Sequence, residues 1–330
     1  MSPFKGLART MLESPNRAKG QNGTERRSFV SKTAVYALGG NALQSPTGDG
    51  DETTEVLARV MSDVIDLLEM DWRVVITHGN GPQVGHLLSM DDGQTQDLDA
   101  WVAATQGMIG HELSMHLNAI LERRRRPERT AVVLTHVEVD PSDEGFQWPT
   151  KPVGPVLDAQ TVMSADWDIA QTVQGPRRVV ASPLPLRILE IEVIRHLVEL
   201  RAVVFCGGGG GIPIAKVGAH QQGVPAVVDK DRFSSLLAKD LNADALIIST
   251  AADAIYRSFG TPEAEAIRTL STAEAATMEA NGEFPKGSMS PKVGALCDFV
   301  VASEVGRGIL CTPGQVLEAL RGEAGTTLTR

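Results

Sequence analysis

The chain has 330 residues, of which 42% are hydrophobic and only 4% aromatic, so it can bury a large, mainly aliphatic core as one α/β domain or two lobes. Its formal net charge of −10 argues against a nucleic-acid partner, because binding to the phosphate backbone requires a positive face. No apolar run approaches the roughly 18–20 residues of a membrane span, so no membrane partner is expected.

The first 32 residues are polar and lack both helical periodicity and an apolar signal-peptide core. They are expected to form a disordered extension, with the folded domain over 33–330. A transit peptide is the alternative reading, because arginine and serine are present, although Glu13 and Glu25 argue against it.

Three apolar strands are each expected to end at a glycine-rich turn. The first precedes Gly39, Gly40 and Asn41, the second precedes Gly79, Asn80 and Gly81, and the third precedes five consecutive glycines that include Gly209 and Gly210. Glycines at such turns allow backbone amides to converge on an anion, and ligands of open parallel sheets bind beyond the carboxyl ends of the strands. The pattern therefore predicts one shared phosphate site, whereas a single turn of this kind would more often hold no ligand.

Between these turns, apolar periodicity predicts helices over 55–70, 98–121 and 188–200, and strands over 73–77 and 131–135. Seven prolines between 139 and 185 forbid long regular elements there and predict a small subdomain outside the sheet, at about 140–185. Within it, Lys151 lies between prolines on a stiff backbone. Such a backbone can present a charge to a ligand, although a solvated surface lysine is the default interpretation.

The last third of the chain adds two further lysines. Lys230 lies between Asp229 and Asp231, at the expected end of a strand and before a helix over 233–241, where it could serve a ligand or form only a surface salt bridge. A buried-looking strand over 245–250 leads to Asp253 and Tyr256. Residues 282–292 then bring glycine turns and Lys292 to the start of a helix near Val293. The backbone amides of a helix start, together with a lysine, form a suitable binding site for a nucleotide phosphate. Short strands over 308–311 and 325–328 close the chain.

Taken in order, the motifs ALGGNA, THGNGPQVG, TQG, PTKPVGP, CGGGGGIPI, VVDKD and GSMSPK closely resemble those of the carbamate kinases of the amino-acid kinase superfamily. The resemblance covers nearly all of 33–330. It implies an open αβα sandwich with a mainly parallel sheet, a homodimer, and reversible phosphoryl transfer between MgATP and carbamate. The expected direction is ATP formation from carbamoyl phosphate and ADP, with Mg²⁺ carried by the nucleotide and no metal site of the protein's own.

The resemblance also implies the roles of individual residues. The catalytic set would be Lys151, Lys230, Lys292 and Asp231. The transferring phosphoryl group and carbamate would lie against Gly39, Gly40, Asn41, Gly79, Asn80, Gly81, Gly209 and Gly210. The nucleotide would contact Asp229, Thr250, Asp253, Tyr256, Gly287, Ser288 and Met289.

Departures from the family pattern leave alternatives open. Ala251 and Ala252 replace residues that the family commonly has beside the nucleotide, so a regulator that binds ligand without turnover is one alternative, and another acyl or nucleotide kinase of the superfamily is a second. An NAD enzyme is disfavoured, because the glycine motif at residue 79 contains Pro82 and lacks an acid at the expected distance. A P-loop kinase is excluded by the absence of GxxxxGK[ST].

The three cysteines fit a reducing compartment, because Cys206, Cys297 and Cys311 show neither CxxC nor Cys/His spacing. The cytoplasm is therefore the expected location, and arginine metabolism is one of several pathways that the sequence leaves open. Cys206 is expected to be a buried residue at a strand end rather than a nucleophile. His78 has no metal-ligand spacing and is expected to orient its turn.

Overall fold

A computed structural model describes residues 31–39, 50–90, 97–172, 174–285 and 287–330, without the side chains of residues 50–53. The predicted N-terminal extension lies outside these residues, apart from its last two positions. Gly40 and Asn41 lie outside them as well, so their predicted contacts are not addressed by the structure.

The strands of the described residues are, in chain order, β1 (Thr33–Leu38), β2 (Arg73–His78), β3 (Thr130–Val133), β4 (His136–Val139), β5 (Lys151–Val153), β6 (Ile169–Thr172), β7 (Gly175–Val180), β8 (Pro185–Ile188), β9 (Val203–Cys206), β10 (Ile212–Val217), β11 (His220–Gly223), β12 (Ala245–Ser249), β13 (Ile255–Arg257), β14 (Glu265–Ile267), β15 (Thr269–Ser271), β16 (Arg307–Cys311) and β17 (Thr326–Thr329). The helices are α1 (Gly50–Glu69), α2 (Gly81–Met90), α3 (Leu98–Arg123), α4 (Ala159–Ser164), α5 (Ile191–Glu199), α6 (Lys230–Asp240), α7 (Thr272–Ala280), α8 (Met289–Ala302) and α9 (Val316–Arg321).

An eight-stranded sheet in the order β15-β17-β16-β12-β1-β2-β9-β3 forms the centre of the fold. Its neighbouring strands run parallel except for β16 and β17, which pair antiparallel. Because successive side chains of a strand point to opposite faces, Val35 and Ala37 of β1 join one buried cluster while Tyr36 and Leu38 join the other. Helices cover both faces, which explains why the central strands read as unbroken apolar runs. The predicted αβα sandwich with a mainly parallel sheet is therefore confirmed.

Each face of the sheet is covered by its own set of helices. Helices α5, α6, α7 and α8 contribute Ile194, Phe233, Met278 and Leu296 to one cluster. Helices α1, α3 and α9 contribute residues such as Leu113 to the other. Among the described residues, no helix combines the length and apolar composition that a membrane crossing requires.

The proline-rich segment forms a small sheet of its own, with β5 and β6 flanking β7 in antiparallel pairs. This sheet lies against α2, where the amide of Gly154 donates to the carbonyl oxygen of Gly81 at 3.2 Å. The two backbones approach so closely that a Cβ placed on Gly85 would lie 1.9 Å from the nitrogen of Gly154. Lys151 on β5 is thereby fixed relative to the turn that follows β2.

Three element boundaries differ from the sequence-based predictions. The strand expected over 131–135 is β3, which ends at Val133, and a further strand of a different sheet, β4, begins at His136. Ile188 ends β8 rather than beginning α5. The prediction that Lys230 lies at a strand end was wrong, because α6 begins at Lys230 and Asp229 is its N-cap. The Asp229 carboxylate accepts hydrogen bonds from the amides of Asp231 and Arg232, which makes an aspartate at this position a strong helix start.

Candidate active site

The three strands that precede the glycine turns end at one edge of the sheet, because β1, β2 and β9 are parallel neighbours. The third turn, Gly207 to Gly211, is called the glycine loop below. A Cβ placed on Gly209 would lie 2.2 Å from Nδ2 of Asn80, and one placed on Gly210 would lie 2.3 Å from the carbonyl oxygen of Val228. The glycine loop therefore fills the space between the turn after β2 and the segment that leads into α6.

Fewer backbone amides point into this site than the glycine content suggests. The amides of Gly39, Gly79 and Gly210 already donate to the carbonyl oxygens of Ser249, Leu38 and Gly207, respectively. Within the described part of the chain, the amides of Asn80, Gly81 and Gly209 have no hydrogen-bond partner. Since α2 begins at Gly81, two of these amides lie at a helix N-terminus, where an anion is favoured.

All three predicted lysines come together on two aspartates. Nζ of Lys230 lies 2.6 Å from Oδ1 of Asp231, and Nζ of Lys292 lies 2.8 Å from Oδ2 of the same carboxylate. Nζ of Lys151 lies 2.6 Å from Oδ2 of Asp229. Three ammonium groups from β5, α6 and α8 thus converge on the first turn of α6. The contact between Lys151 and Asp229 joins residues 78 positions apart in the chain, and the contact between Lys292 and Asp231 joins residues 61 positions apart.

Burial and mutual attraction set the charges of this cluster. Burial opposes ionisation of Asp231, but the ammonium groups of Lys230 and Lys292 hold its pKa well below the usual range. Burial lowers the pKa of Lys230, although Asp231 opposes that shift. Burial acts the same way on Lys292, yet the charge of Asp231 prevails and raises its pKa. Three ammonium groups against two carboxylates leave this cluster with excess positive charge, which suits a phosphoryl group.

A cavity of about 390 Å³ opens beside the cluster and shares Lys292 with it. Five of the predicted nucleotide residues line it, whereas Asp229 and Gly287 do not. The cavity is lined by Thr250, Ala251, Ala252, Asp253, Ala254, Tyr256, Phe259, Glu283, Phe284, Pro285, Ser288, Met289 and Lys292. Phe259 was not predicted, because it belongs to no motif and only the folded chain brings it beside Tyr256. Phe284 lies within the predicted 282–292 segment, but no role was predicted for its ring. The Tyr256 and Phe259 rings lie 6.0 Å apart with a tilt of 59°, a suitable surface for an aromatic base.

His78 is buried directly behind the turn. Its Nδ1 lies 3.1 Å from the carbonyl oxygen of Gly79, and a Cβ on Gly208 would lie 2.3 Å from its Cε1. Burial lowers the pKa of His78 to about 4, opposed by its bond to Gly79 and assisted by the charge of Lys230. The imidazole is therefore neutral at physiological pH and packs as a spacer between the turn and the glycine loop.

Replacing His78 by glutamine is expected to remove a pH dependence of stability. The unfolded chain takes up a proton near pH 6.5 and the folded chain only near pH 4, so acidification stabilises the unfolded state. Between pH 7 and 4.5 the wild type should lose about 2 kcal/mol of unfolding free energy relative to His78→Gln. Urea titrations of both proteins at several pH values measure this difference. A difference that stays constant with pH would show that burial does not suppress protonation of His78.

Two of the cysteines are enclosed in the core. Cys206 at the end of β9 and Cys311 at the end of β16 are buried, and burial raises the pKa of both thiols. A thiol with a raised pKa is a poor nucleophile at neutral pH. Neither residue therefore has the character of a catalytic thiolate.

Known proteins resemble this chain over most of its length. The sequence pattern of the amino acid kinase family matches residues 32–306. A carbamate kinase of Halobacterium salinarum is 40% identical over 304 residues, which cover 89% of this chain and 97% of the relative. Carbamate kinase 2 of Staphylococcus aureus is 37% identical over 309 residues, which cover 90% and 99%. The structure of carbamate kinase from Giardia lamblia bound to AMP-PNP has a TM-score of 0.81 at 32% identity, and the match covers 91% of this chain and 99% of that one.

Proposed function

Because the chain belongs to the amino acid kinase family, and within it to the carbamate kinases, we propose that it transfers a phosphoryl group reversibly between ATP and carbamate. We assign the direction of ATP formation, from carbamoyl phosphate and the Mg²⁺ complex of ADP. The metal ion enters as part of the nucleotide substrate.

The observation that carries this proposal is the convergence of Lys151, Lys230 and Lys292 beside a cavity of nucleotide size. Phosphoryl transfer passes through a loose transition state whose charge is spread over the equatorial oxygens. Positioned cations and amides are therefore the tools that it requires, and no nucleophilic side chain is needed. A site with this composition would be poorly suited to acyl transfer or hydride transfer.

The proposed reaction assigns a task to each part of the site. An oxygen of the β-phosphate of ADP attacks phosphorus, the bond to the carbamoyl oxygen breaks, and carbamate leaves with that electron pair. Lys292 faces both the cavity and Asp231, so it would neutralise the migrating phosphoryl group together with Lys230. Lys151 would meet the carbamoyl phosphate. The amides of Asn80 and Gly81, which have no partner among the described residues, would hold the same substrate from the other side.

Three glycines shape this site rather than donate to the ligand. The amides of Gly39, Gly79 and Gly210 are used within the protein, so we assign these residues the task of letting backbones approach closely. Gly209 has a φ of 66°, and its amide has no partner within the described part of the chain, so it can both allow close approach and donate to the ligand. Asp231 would orient Lys230 and Lys292, and Asp229 would orient Lys151 instead of contacting the nucleotide.

The adenine base would lie in the outer part of the cavity. Tyr256 and Phe259 provide aromatic surface there, and the Tyr256 hydroxyl donates to the Asp253 carboxylate at 3.1 Å. Ala251 and Ala252 give this wall little polarity, so nucleotide affinity would depend on stacking and on Lys292. Gly287 lies just outside the lining and would shape the entry to α8, with a φ of 82°.

We also propose a homodimer and a cytoplasmic location. Strand β3 forms one end of the central sheet; Val132 is an exposed residue of this strand, and Leu134 is exposed just after it. Met108 and Met115 are exposed on the adjoining helix α3. An apolar sheet edge of this kind favours burial against a second copy of the chain, and light scattering would reveal whether a dimer forms.

The proposed cytoplasmic location is supported by the cysteines, which are free thiols, as is usual in a reducing compartment.

An ATP-formation assay tests the proposed function. Purified protein is incubated with ADP, Mg²⁺ and carbamoyl phosphate, and ATP is measured by luciferase luminescence against a protein-free background. Turnover above background is expected. Binding of ADP in calorimetry without any ATP would favour the non-catalytic regulator. Turnover only with an acyl amino acid or a nucleoside monophosphate as phosphoryl acceptor, in the presence of ATP, would favour another kinase of the superfamily.

A further inference from the structure

Gln106, a buried residue of α3, is bonded to two distant segments of the backbone. Its Oε1 accepts a hydrogen bond from the amide of Thr135 at 2.6 Å, and its Nε2 donates to the carbonyl oxygen of Gly208 at 3.0 Å. A longer contact of 3.4 Å joins Nε2 to the carbonyl oxygen of Thr135. The hydroxyl of Thr135 completes the arrangement by accepting from the amide of Gly207 at 3.1 Å. Gln106 and Thr135 together therefore hold the first two residues of the glycine loop.

The backbone bonds within the glycine loop, from the amides of Gly210 and Gly211 to the carbonyl oxygens of Gly207 and Gly208, shape its turn but do not tie it to neighbouring elements. Gly207, Gly209, Gly210 and Gly211 have φ values of 59°, 66°, 87° and 87°, which other residues rarely adopt. Glycine loses much conformational freedom when it is fixed in this way, so the loop depends on specific bonds for its position. The bonds from Gln106 and Thr135 are the side-chain hydrogen bonds that the described residues make to Gly207 and Gly208.

The position of the loop determines the width of the candidate active site. On one side Gly208 and Gly209 pack against His78 and Asn80, and on the other Gly210 packs against Val228, directly before the lysine-bearing helix. The distance between the free amides after β2 and the ammonium groups of α6 therefore depends on where the loop lies.

We propose that Gln106 is a positioning residue for phosphoryl transfer, which fixes the glycine loop so that the turn at Asn80 and the lysines of α6 face one migrating group at the correct separation. This inference rests on the proposed function. Gln106 does not line the nucleotide cavity, so its effect is expected in turnover and not in ADP affinity.

The substitution Gln106→Glu provides a reversible test, because ionisation of the introduced carboxyl group removes the donor to Gly208 without changing the size of the side chain. When protonated, this carboxyl group would accept from the Thr135 amide and donate to the Gly208 carbonyl oxygen, as glutamine does. When ionised, it would place a negative oxygen about 3 Å from that carbonyl oxygen and would push the loop away. Among the described residues, His78 is a titratable side chain that shares with Gln106 the contact to Gly208; it stays neutral above about pH 5, and Lys230 is the charged group that acts on it.

The experiment compares kcat for ATP formation by Gln106→Glu and wild type between pH 6 and 9. The kcat of the variant divided by the kcat of the wild type is expected to lie within about threefold of unity at pH 6. This kcat ratio should fall at least about tenfold further by pH 9. The dissociation constant for ADP, measured by calorimetry, should change less than about threefold. At pH 9, hydrogen exchange of the peptide containing the glycine loop should be faster in the variant than in the wild type. At pH 6, the two proteins should exchange at the same rate.

Thr135→Val is the second variant, since valine has the same shape but cannot accept from the Gly207 amide. It should lower kcat by at least about fivefold at every pH, with ADP affinity retained. Gln221→Glu, at an exposed position of β11, is the matched control. Its kcat relative to the wild type should not change with pH.

A pH-independent ratio for Gln106→Glu, or unchanged loop exchange at pH 9, would overturn the inference. A wild-type protein that makes no ATP would instead overturn the proposed function, while the exchange measurement would still decide whether Gln106 holds the loop.

Discussion

Replacing Asp231 by asparagine is expected to lower kcat for ATP formation by at least about 100-fold, the largest effect of any single substitution in this site. The carboxylate of Asp231 holds Lys230 and Lys292 through its two oxygens, and all three side chains are largely buried. Without its charge, the two ammonium groups would repel each other and burial would drive their pKa values down. At least one of them would then lose the charge or the position that the migrating phosphoryl group requires. Initial rates at saturating carbamoyl phosphate and ADP measure this effect.

The same substitution is expected to destabilise the fold, because removing one partner of a buried ion pair costs about 3–5 kcal/mol. The unfolding free energies of the wild type and of Asp231→Asn are therefore measured by urea titration, and their rates are compared at a temperature where both proteins are folded. Asp298→Asn provides the control, since Asp298 is an exposed carboxylate on the same helix as Lys292. If a folded Asp231→Asn protein turned over within about threefold of the wild type, the lysine pair would not be the centre of the reaction.

The sheet edge could be predicted from local signals alone. Apolar runs that stop at glycines predicted strand ends before Gly39, Gly79 and Gly207, and the parallel pairing of β1, β2 and β9 places all three ends together. Local signals sufficed because strand period and glycine conformation are properties of a few neighbouring residues. The use of each amide was not predictable in the same way, since the partners of Gly39 and Gly79 lie on other strands.

The lysine cluster needed more than local signals. The motifs identified Lys151, Lys230 and Lys292 through a family resemblance, but the pairing of Lys151 with Asp229 depends on how the small β5-β7-β6 sheet lies against α2. The start of α6 was misplaced because Val227 and Val228 read as a strand, although only an isolated bridge between Ala181 and Ala226 forms there. Asp229 could have been recognised as a helix N-cap from its position before Lys230 and Asp231.

Gln106 appeared in the sequence only as the middle residue of the TQG motif, and no role was predicted for it. A glutamine in the middle of a helix carries no local sign of its partners, and its bonds reach residues 29 and 102 positions away. The contribution of Phe259 to the cavity was hidden for the same reason, because Phe259 follows β13 and belongs to no motif. Tertiary packing, and not local propensity, brings these residues to the site.

Replacing Lys151 by alanine is expected to lower kcat for ATP formation by at least about tenfold while leaving ADP affinity within about threefold. Lys151 is held at the site by Asp229 and by the stiff strand between Pro149 and Pro152, so its charge is in place before substrate arrives. It does not line the cavity that would hold the nucleotide, which predicts the separation between turnover and binding. Initial rates with varied carbamoyl phosphate, together with ADP calorimetry, measure both quantities.

Asp229→Asn provides the matched partner for this variant, because asparagine still caps α6 through its side-chain oxygen but no longer attracts the ammonium group. If Asp229 acts by holding Lys151, the substitution should lower kcat in the wild type and have little further effect in the Lys151→Ala background. Lys216→Ala, at an exposed position of β10, should leave the rate unchanged. Additive losses in the double variant would mean that Asp229 acts independently of Lys151, and a wild-type rate for Lys151→Ala would remove this lysine from the reaction.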